Sequence, residues 1–384
     1  MPTLNYKKPK VALVHDFLTY FGGAEQVLAS LHNLYPEAPI YTLLYDKNKM
    51  ERYFPDAKIK TSFLNKLPKF IRKRKKYLLP LMPTAAETFD LRDFDTIISS
   101  SSSFGKGIIT KPKTIHICYC HAPTRFLWDW HYNYLNENKI KGIKRILILP
   151  LLHYMRMWDK SASERVDQFV ANSQNTANKI KKFYRRESVV IYPPALTGKL
   201  KVHKVKSPSS RTVRLGRKND YFLIISRLSP YKKIDIAVET FNKLGLPLII
   251  IGDGQDRKRL EKMAEKNIKF LGFQPEEKLS QYYQNCYAFI FPGEDDFGIT
   301  PIEAMSFGKP VLAFRKGGLI ETMLEGVTGE FFDNPIPEIL ADGIRRLKNN
   351  YNNYNPERIK QHAEKFSRKK FEENMKNVIE KLRQ

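Results

Sequence analysis

Ala288-Phe289-Ile290-Phe291-Pro292-Gly293-Glu294-Asp295-Asp296-Phe297-Gly298-Ile299-Thr300-Pro301-Ile302-Glu303-Ala304-Met305 passes from an apolar run into a glycine-bearing acidic loop and then into a helical pattern. A second apolar run, Val311 to Phe314, follows Gly308-Lys309-Pro310. Short apolar runs bounded by Gly and Pro read as buried strands, and Pro301 to Phe307 between them reads as a helix. Strands joined through a helix pair in parallel and need helices on both faces of their sheet. The stretch is one unit of an α/β fold.

The same alternation extends in both directions. Before it, strands are expected at Phe222 to Ile225, Leu248 to Ile251 and Ile268 to Leu271, with helices near Ile236 to Leu244, Arg257 to Lys266 and Glu276 to Asn285; a helix near Leu319 to Leu324 follows it. In the first half, Val11 to Val14 leads through His15-Asp16 and a Gly22-Gly23 turn to a helix marked by Val27, Leu28, Leu31 and Leu34. Further strands are expected at Thr96 to Ser99, Ile115 to Tyr119, Gln168 to Ala171 and Val189 to Tyr192. Ser173 is placed to cap a helix over Gln174 to Tyr184. Residues 197–220 show neither period and read as a basic linker or exposed loop. The chain therefore divides into two Rossmann-like domains, 1–196 and 221–355, with a helical C-terminal segment from Pro356 to Gln384.

A length of 384 residues suits two domains, and 42% apolar with 28% charged residues describes a folded chain. The net charge of +26 invites a polyanionic partner, nucleic acid or membrane. It is unevenly spread: +16 over residues 1–196, +7 over 197–220 and +3 over 221–384. No apolar stretch is long enough to span a bilayer, and Met1 to Lys10 lacks the apolar region of a secretory signal. Cys118, Cys120 and Cys286 have neither zinc-ligand spacing nor a disulfide pattern, which points to a reducing cytoplasm.

In open parallel sheets ligands sit beyond the carboxyl ends of the strands. His15, Gly22-Gly23, Ser99 to Ser103, His121, Ser173, Arg227, Gly252-Asp253-Gly254 and Asp295 to Glu303 each follow an expected strand. Two such rims facing each other would form a cleft between the domains. Thr300 before Pro301 reads as a helix cap with proline at the first helical position, which leaves free amides and the helix dipole beside Gly298 to Thr300. A phosphate is the natural ligand of such a turn. Thr300-x-x-Glu303 also fits a capping box, in which the glutamate only reaches back to the cap.

The segment from Pro292 to Met305 resembles the carboxylate-x7-Glu signature of the GT-B retaining glycosyltransferases of family 4. The resemblance continues in Gly22-Gly23-Ala24-Glu25, Cys120-His121-Ala122-Pro123, Ala171-Asn172-Ser173, Tyr192-Pro193-Pro194, Arg227 with Lys232, and Gly252-Asp253-Gly254. It implies an α/β GT-B fold, two Rossmann-like domains facing across a cleft, with the C-terminal helical segment crossing back onto the first. The sequence looks most like mannosyltransferases that build surface polysaccharides from GDP-mannose.

By that resemblance the catalytic set is His121, Arg227, Lys232, Asp295 and Glu303. Glu303 would bind the nucleotide ribose, the first carboxylate the transferred sugar, and His121 the sugar-facing wall. Arg227 and Lys232, two cations five residues apart, would neutralise the leaving diphosphate in place of a metal ion. Gly22, Gly23, Gly252, Gly254, Leu271, Phe297, Gly298, Ile299 and Thr300 would line the donor, and Arg125, Trp128 and Asp129 would lie on the acceptor side. Asp295 stands where the family usually has glutamate, so either it substitutes directly or Glu294 takes over through a changed turn. No cofactor or metal is expected, because no Asp-x-Asp motif follows a strand. Transfer should retain anomeric configuration.

The basic excess has its densest expression in Phe63 to Pro80, where seven Lys or Arg and no acid lie among large apolar residues. Lys69, Arg72, Lys73, Arg74, Lys75 and Lys76 with neighbouring Phe70, Ile71 and Tyr77 suit an anionic membrane surface, the alternative being a solvated basic helix. Ile143 to Met157 either extends that surface or starts a core helix. No nucleic-acid-binding module is present, so nucleic acid is not an expected partner. The expected seat is peripheral, on the cytoplasmic face of the membrane, with a glycan or polyprenyl-diphosphate-linked acceptor. The rival readings are a non-catalytic carbohydrate-binding scaffold and a transferase using a UDP-sugar.

Overall fold

The strands pair in parallel throughout both sheets, as the helix-separated apolar runs demand. The computed structural model describes residues 9–72, 74–195 and 221–383. The linker 197–220 and Lys73 lie outside them. Two units are distinguished: Met1–Tyr192 with Phe371–Gln384, and Pro193–Lys370.

The first unit holds β1 (Val11–Leu18), β2 (Ile40–Tyr45), β3 (Ile59–Thr61), β4 (Thr96–Ser101), β5 (Ile115–Cys120), β6 (Gln168–Ala171) and β7 (Ser188–Val190), in the order β3-β2-β1-β4-β5-β6-β7. Alternate residues of the central strands feed opposite faces. Ala12, Val14 and Ile97 join a core with Leu64, Met82 and Met155. Leu13, Ile98 and Ile117 join another with Val27, Leu28 and Leu31. Burial on both sides explains why these strands read as unbroken apolar runs. The second core also receives Phe371, Met375 and Ile379 from the C-terminal helix Arg368–Arg383, spaced four apart on one helical face.

The second unit holds β8 (Phe222–Ile225), β9 (Leu248–Ile251), β10 (Ile268–Gly272), β11 (Phe289–Phe291), β12 (Val311–Phe314) and β13 (Gly329–Phe332), in the order β10-β9-β8-β11-β12-β13. Strand order reverses between β1 and β4 in one sheet and between β8 and β11 in the other. Crevices at such reversals are where α/β sheets bind ligands.

Several expectations are corrected. β1 runs on to Leu18 and β4 to Ser101, so His15, Asp16, Ser99 and Ser100 lie within strands rather than after them. β2, β3 and β13 go beyond the strands read from the sequence. β13 hides its character behind Glu330, a buried carboxylate held by Arg346, Asn350 and Tyr354. The boundary falls after Tyr192, and only residues from Phe371 onward join the first unit. The helix Pro356–Ala363 instead packs in the second unit against the helix Ile299–Ser306. Within the basic stretch the described residues form the short helical turns Lys69–Arg72 and Lys75–Leu78.

Candidate active site

At the β8–β11 reversal of the second unit, the loop after β8 bends through Ser226 to Lys233. A 3-10 turn over Pro230–Lys232 leads into the helix Ile234–Leu244. Lys232 is buried, its ammonium lying 5.4 Å from the Phe291 ring centroid and 5.1 Å from that of Tyr231. The ammonium pairs with the carboxylate of Asp295 in the loop after β11. Glu294 points elsewhere, to Lys316 at 3.2 Å. Of the two neighbouring carboxylates, the fold brings Asp295 to the buried cation.

The same loop enters the helix Ile299–Ser306 with Gly298, not Thr300, as its cap. Gly298 has φ +89° and a Cβ there would come within 2.4 Å of Leu319, so both backbone and space require glycine. No side chain caps this helix, and Pro301 is its third residue; the capping-box explanation of Glu303 therefore fails. Glu303 is buried a turn further on, where its Oε2 accepts a 2.8 Å hydrogen bond from the Tyr283 hydroxyl. Burial, and then the adjacent carboxylate, push the Tyr283 hydroxyl well above its usual range, so it remains a donor. First-turn amides at Ile299 and Thr300 have no acceptor within the helix, the usual setting for an anion.

In the first unit, β1 and β4 place His15 directly beside Ser100. His121 follows β5, its N–H bonded to the Ser101 carbonyl at 2.9 Å and its own carbonyl receiving the Asn172 side-chain amide at 2.9 Å. The His121 Nε2 lies 2.8 Å from Ser100 Oγ. Beside it, the buried Asp16 carboxylate accepts the backbone N–H groups of Ser102 (2.7 Å), Ser103 (3.0 Å), Phe104 (2.9 Å) and Gly105 (2.5 Å) and the Ser101 hydroxyl (3.0 Å). One carboxylate thus shapes the whole turn after β4. Behind that turn Lys106 and Asp159 form a fully buried ion pair at 2.5 Å. Asp159 also accepts from Thr124, Tyr184 and Trp128, tying the loops after β4 and β5 to two helices.

Residues 21–196 match the model of Glycosyltransferase Family 4, and residues 207–366 match that of Glycosyl transferases group 1. The chain belongs to this GT-B glycosyltransferase family. An uncharacterized glycosyltransferase of Methanocaldococcus jannaschii is 23% identical, covering 97% of this chain and 98% of its own. Alpha-1,3/1,6-mannosyltransferase ALG2 of Dictyostelium discoideum is 26% identical over 78% of this chain and 77% of its own. Among solved structures, Anabaena HepE in complex with UDP-glucose superposes with a TM-score of 0.69 at 18% identity, over 97% of this chain and all of that one. Sucrose-phosphate synthase from Thermosynechococcus elongatus reaches 0.73 at 17% identity, over 98% and 99%.

Within this glycosyltransferase the residues named from sequence sort by what they touch. Lys232 and Asp295 are brought together, and Glu303 is oriented one helical turn from the free amides. Arg227 is exposed at the same loop. Gly252 and Gly254 are packing glycines: a Cβ on either would come within 1.9 Å of Ser226 O or 2.1 Å of Leu228 O, so they let the two loops stack. Leu271 is half-buried on the edge strand β10. Phe297 turns its ring inward to Phe366, leaving only its backbone for a donor. Gly22 caps the helix Gly23–Leu34 in extended conformation, against Tyr20 and Glu25.

The three residues named for the acceptor side each have partners within the first unit. The Trp128 indole donates to buried Asp159 and stacks on Phe183, and Asp129 pairs with Lys179 at 2.7 Å. Arg125 lies over the Trp130 ring at 5.1 Å. Sequence reasoning also misses Asp16, whose task depends on contacts about ninety residues away, and Gly317-Gly318. A Cβ on Gly317 would come within 2.1 Å of Asp295 O, and one on Gly318 within 2.4 Å of Asp296 O. That pair presses the acidic loop into place, and its position just after β12 was the available signal.

Proposed function

We propose that this glycosyltransferase moves mannose from GDP-mannose to a glycan or polyprenyl-diphosphate-linked acceptor, with retention of configuration, at an anionic membrane surface. The pairing of buried Lys232 with Asp295, beside the uncapped helix Ile299–Ser306, is the observation that carries the reading. A diphosphate at the amides of Ile299 and Thr300 meets Lys232 and Arg227, which take up the charge that grows on the leaving group. Asp295, anchored by Lys232, supplies the acceptor for sugar hydroxyls, and Glu303 the acceptor for ribose hydroxyls. The leaving phosphate then takes the acceptor's proton on the same face of the sugar, and no metal is required. Mannose as the sugar draws its support from relatives named as mannosyltransferases over most of their length.

The test is a thermal-shift panel of nucleoside diphosphates, since a ligand bound only to the native state raises its stability. GDP should raise Tm above UDP and ADP. Glu303→Gln keeps an oxygen for the Tyr283 hydroxyl, so it should fold normally and lose most of the GDP shift. An undiminished shift would remove Glu303 from the donor site. UDP selectivity would replace the donor assignment with a UDP-sugar, a reading favoured by the HepE structures solved with UDP and UDP-glucose.

The membrane part of the proposal rests on an apolar stripe that the fold leaves outside. On the helix Ile143–Glu164, Ile143 (73% exposed), Leu147 (72%), Pro150, Tyr154 and Met157 recur at alternating four- and three-residue steps. Lys139, Lys141, Lys144 and Arg145 surround its start. The basic stretch backs onto the same core through Leu67 and Ile71, as this helix does through Ile148 and Leu151, and it exposes Phe70 and Tyr77. Not every basic residue there faces out: Lys75 donates to Thr19 at 2.8 Å and lies over Phe17, Arg72 donates to Asn65, and Lys76 to Asn138. Among the described residues no helix is long and apolar enough to cross a membrane. Neutralising Lys69, Arg74, Lys144 and Arg145 together, at about 1 kcal/mol each, should weaken binding to anionic liposomes by roughly three orders of magnitude. Full binding by that variant would count against a lipid partner.

A further inference from the structure

Four polar side chains in the first unit form a buried file that ends on His121. Glu25, in the helix Gly23–Leu34, places Oε1 3.4 Å from His15 Nε2. His15 places Nδ1 3.2 Å from Ser100 Oγ, and Ser100 Oγ lies 2.8 Å from His121 Nε2. Glu25, His15 and Ser100 are all buried, so water does not compete for these positions. The second carboxylate oxygen of Glu25 is buried with no hydrogen-bond partner, which leaves the His15 ring as the group that answers its charge.

The order of donors along this file follows from its first member. An ionised carboxylate only accepts hydrogen bonds, so the His15 proton facing it belongs on Nε2. In its neutral form His15 then presents a lone pair at Nδ1 and the Ser100 hydroxyl donates into it, whereas the charged ring would donate to Ser100 and reverse the order. With its proton committed, Ser100 Oγ can only accept from His121. We propose that Glu25, His15 and Ser100 are positioning residues that fix His121 in the tautomer protonated at Nε2. In that form the Nδ1 of His121 is an acceptor, and a hydroxyl meets it as a donor. This consequence for catalysis rests on the assignment of His121 to the donor sugar; the tautomer itself does not.

The helix carrying Glu25 begins at the Gly22-Gly23 turn, and the strand carrying His15 continues into Asp16. The file therefore joins the Gly-Gly-Ala-Glu segment to the serine run of β4 through the ring of His15. Glu25 is useful here as a fixed acceptor, not as an acid or base that touches substrate.

The experiment is nitrogen-15 NMR of the histidine rings in the full chain at about pH 8, where an ordinary histidine is neutral. Wild-type protein should show His15 and His121 each protonated at Nε2, with a slowly exchanging His121 ring proton. Ser100→Ala and Glu25→Leu, which remove the hydroxyl and the acceptor respectively, should each speed that exchange and shift the two His121 nitrogen signals away from the wild-type pattern. Ser100→Thr, which keeps the hydroxyl, should restore the wild-type pattern. A wild-type His121 protonated at Nδ1 overturns the proposal, as does a His121 signature unchanged in both disrupting variants. Should Ser100→Ala fold poorly, Glu25→Leu, which leaves no acceptor facing His15, decides alone. Turnover separates the underlying assignment: a tautomer change with unaltered kcat upholds the file and removes His121 from the sugar.

Discussion

Replacing Lys232 by alanine should lower kcat/KM by about two to three orders of magnitude, the loss seen when one fixed charge or donor is removed from a developing anion. The expectation rests on burial. A solvated lysine is screened and contributes little, whereas Lys232 sits among Phe291, Tyr231 and Asp295. Its stem is held by packing, so the ammonium needs no reorganisation when the leaving diphosphate gains charge. The variant should remain folded, because the Asp295 side chain it strands is partly exposed and can be hydrated. The loss should fall mainly in kcat, with a smaller change in GDP affinity. Lys233→Asn is the control: Lys233 is exposed at φ +53°, a conformation asparagine tolerates, and that variant should turn over like wild type. Equal activities for Lys232→Ala and wild type would refute the role. Activity should also survive chelation of divalent metal, since the proposed charge neutralisation comes from Arg227 and Lys232.

Asp16→Ala should cost about 3–5 kcal/mol, the range for stripping one side of a buried charged network. Four backbone N–H groups from Ser102 to Gly105 would lose their acceptor, three of them in the buried residues Ser103, Phe104 and Gly105, and each unmet buried donor is costly. Against a total stability of about 5–15 kcal/mol, that is a large fraction. Asp16→Asn, which keeps one oxygen, should lose less. Acid supplies a second readout. Burial by itself raises the Asp16 carboxyl, but His15, the amides of Gly105 and Ser102, and Lys106 outweigh it and hold the group below its ordinary value. The folded protein thus binds this proton less readily than the unfolded chain. The resulting stabilisation is present above the ordinary aspartate value near 4 and is lost as pH falls through the lower folded value. Urea titrations at neutral and acid pH should show the gap between wild type and Asp16→Asn narrowing in acid. A gap that persists there would deny Asp16 its charged role.

The two predictions mark different degrees of legibility. Lys232 announces itself because it follows a short apolar strand at the rim of a parallel sheet, and because Asp295 to Glu303 follows another. Asp16 gives no such sign. Its partners arrive from β4, eighty-five or more residues later in the chain, and the strand containing it merely looks longer than its apolar run. Trp128 and Asp129 also have partners that the sequence does not announce, buried Asp159 and nearby Lys179, neither of them close in sequence. The Thr300 cap fails for a local reason. A glycine with positive φ starts the helix two residues earlier, and a proline at the third helical position is as compatible with free amides as one at the first.

Strand and helix order, the parallel sheets and the loops that carry the glycosyltransferase motifs were determined by the sequence, because apolar periodicity and Gly/Pro punctuation are local properties of the chain. Its uneven charge likewise directed attention to the first half. Which charges face outward, which of Glu294 and Asp295 meets Lys232, why Glu303 is held by Tyr283, and how Glu25 reaches His121 through His15 and Ser100 were decided only by the tertiary structure. Each depends on side chains from distant segments meeting at a few ångströms, where burial converts an ordinary polar residue into one with a fixed partner and direction.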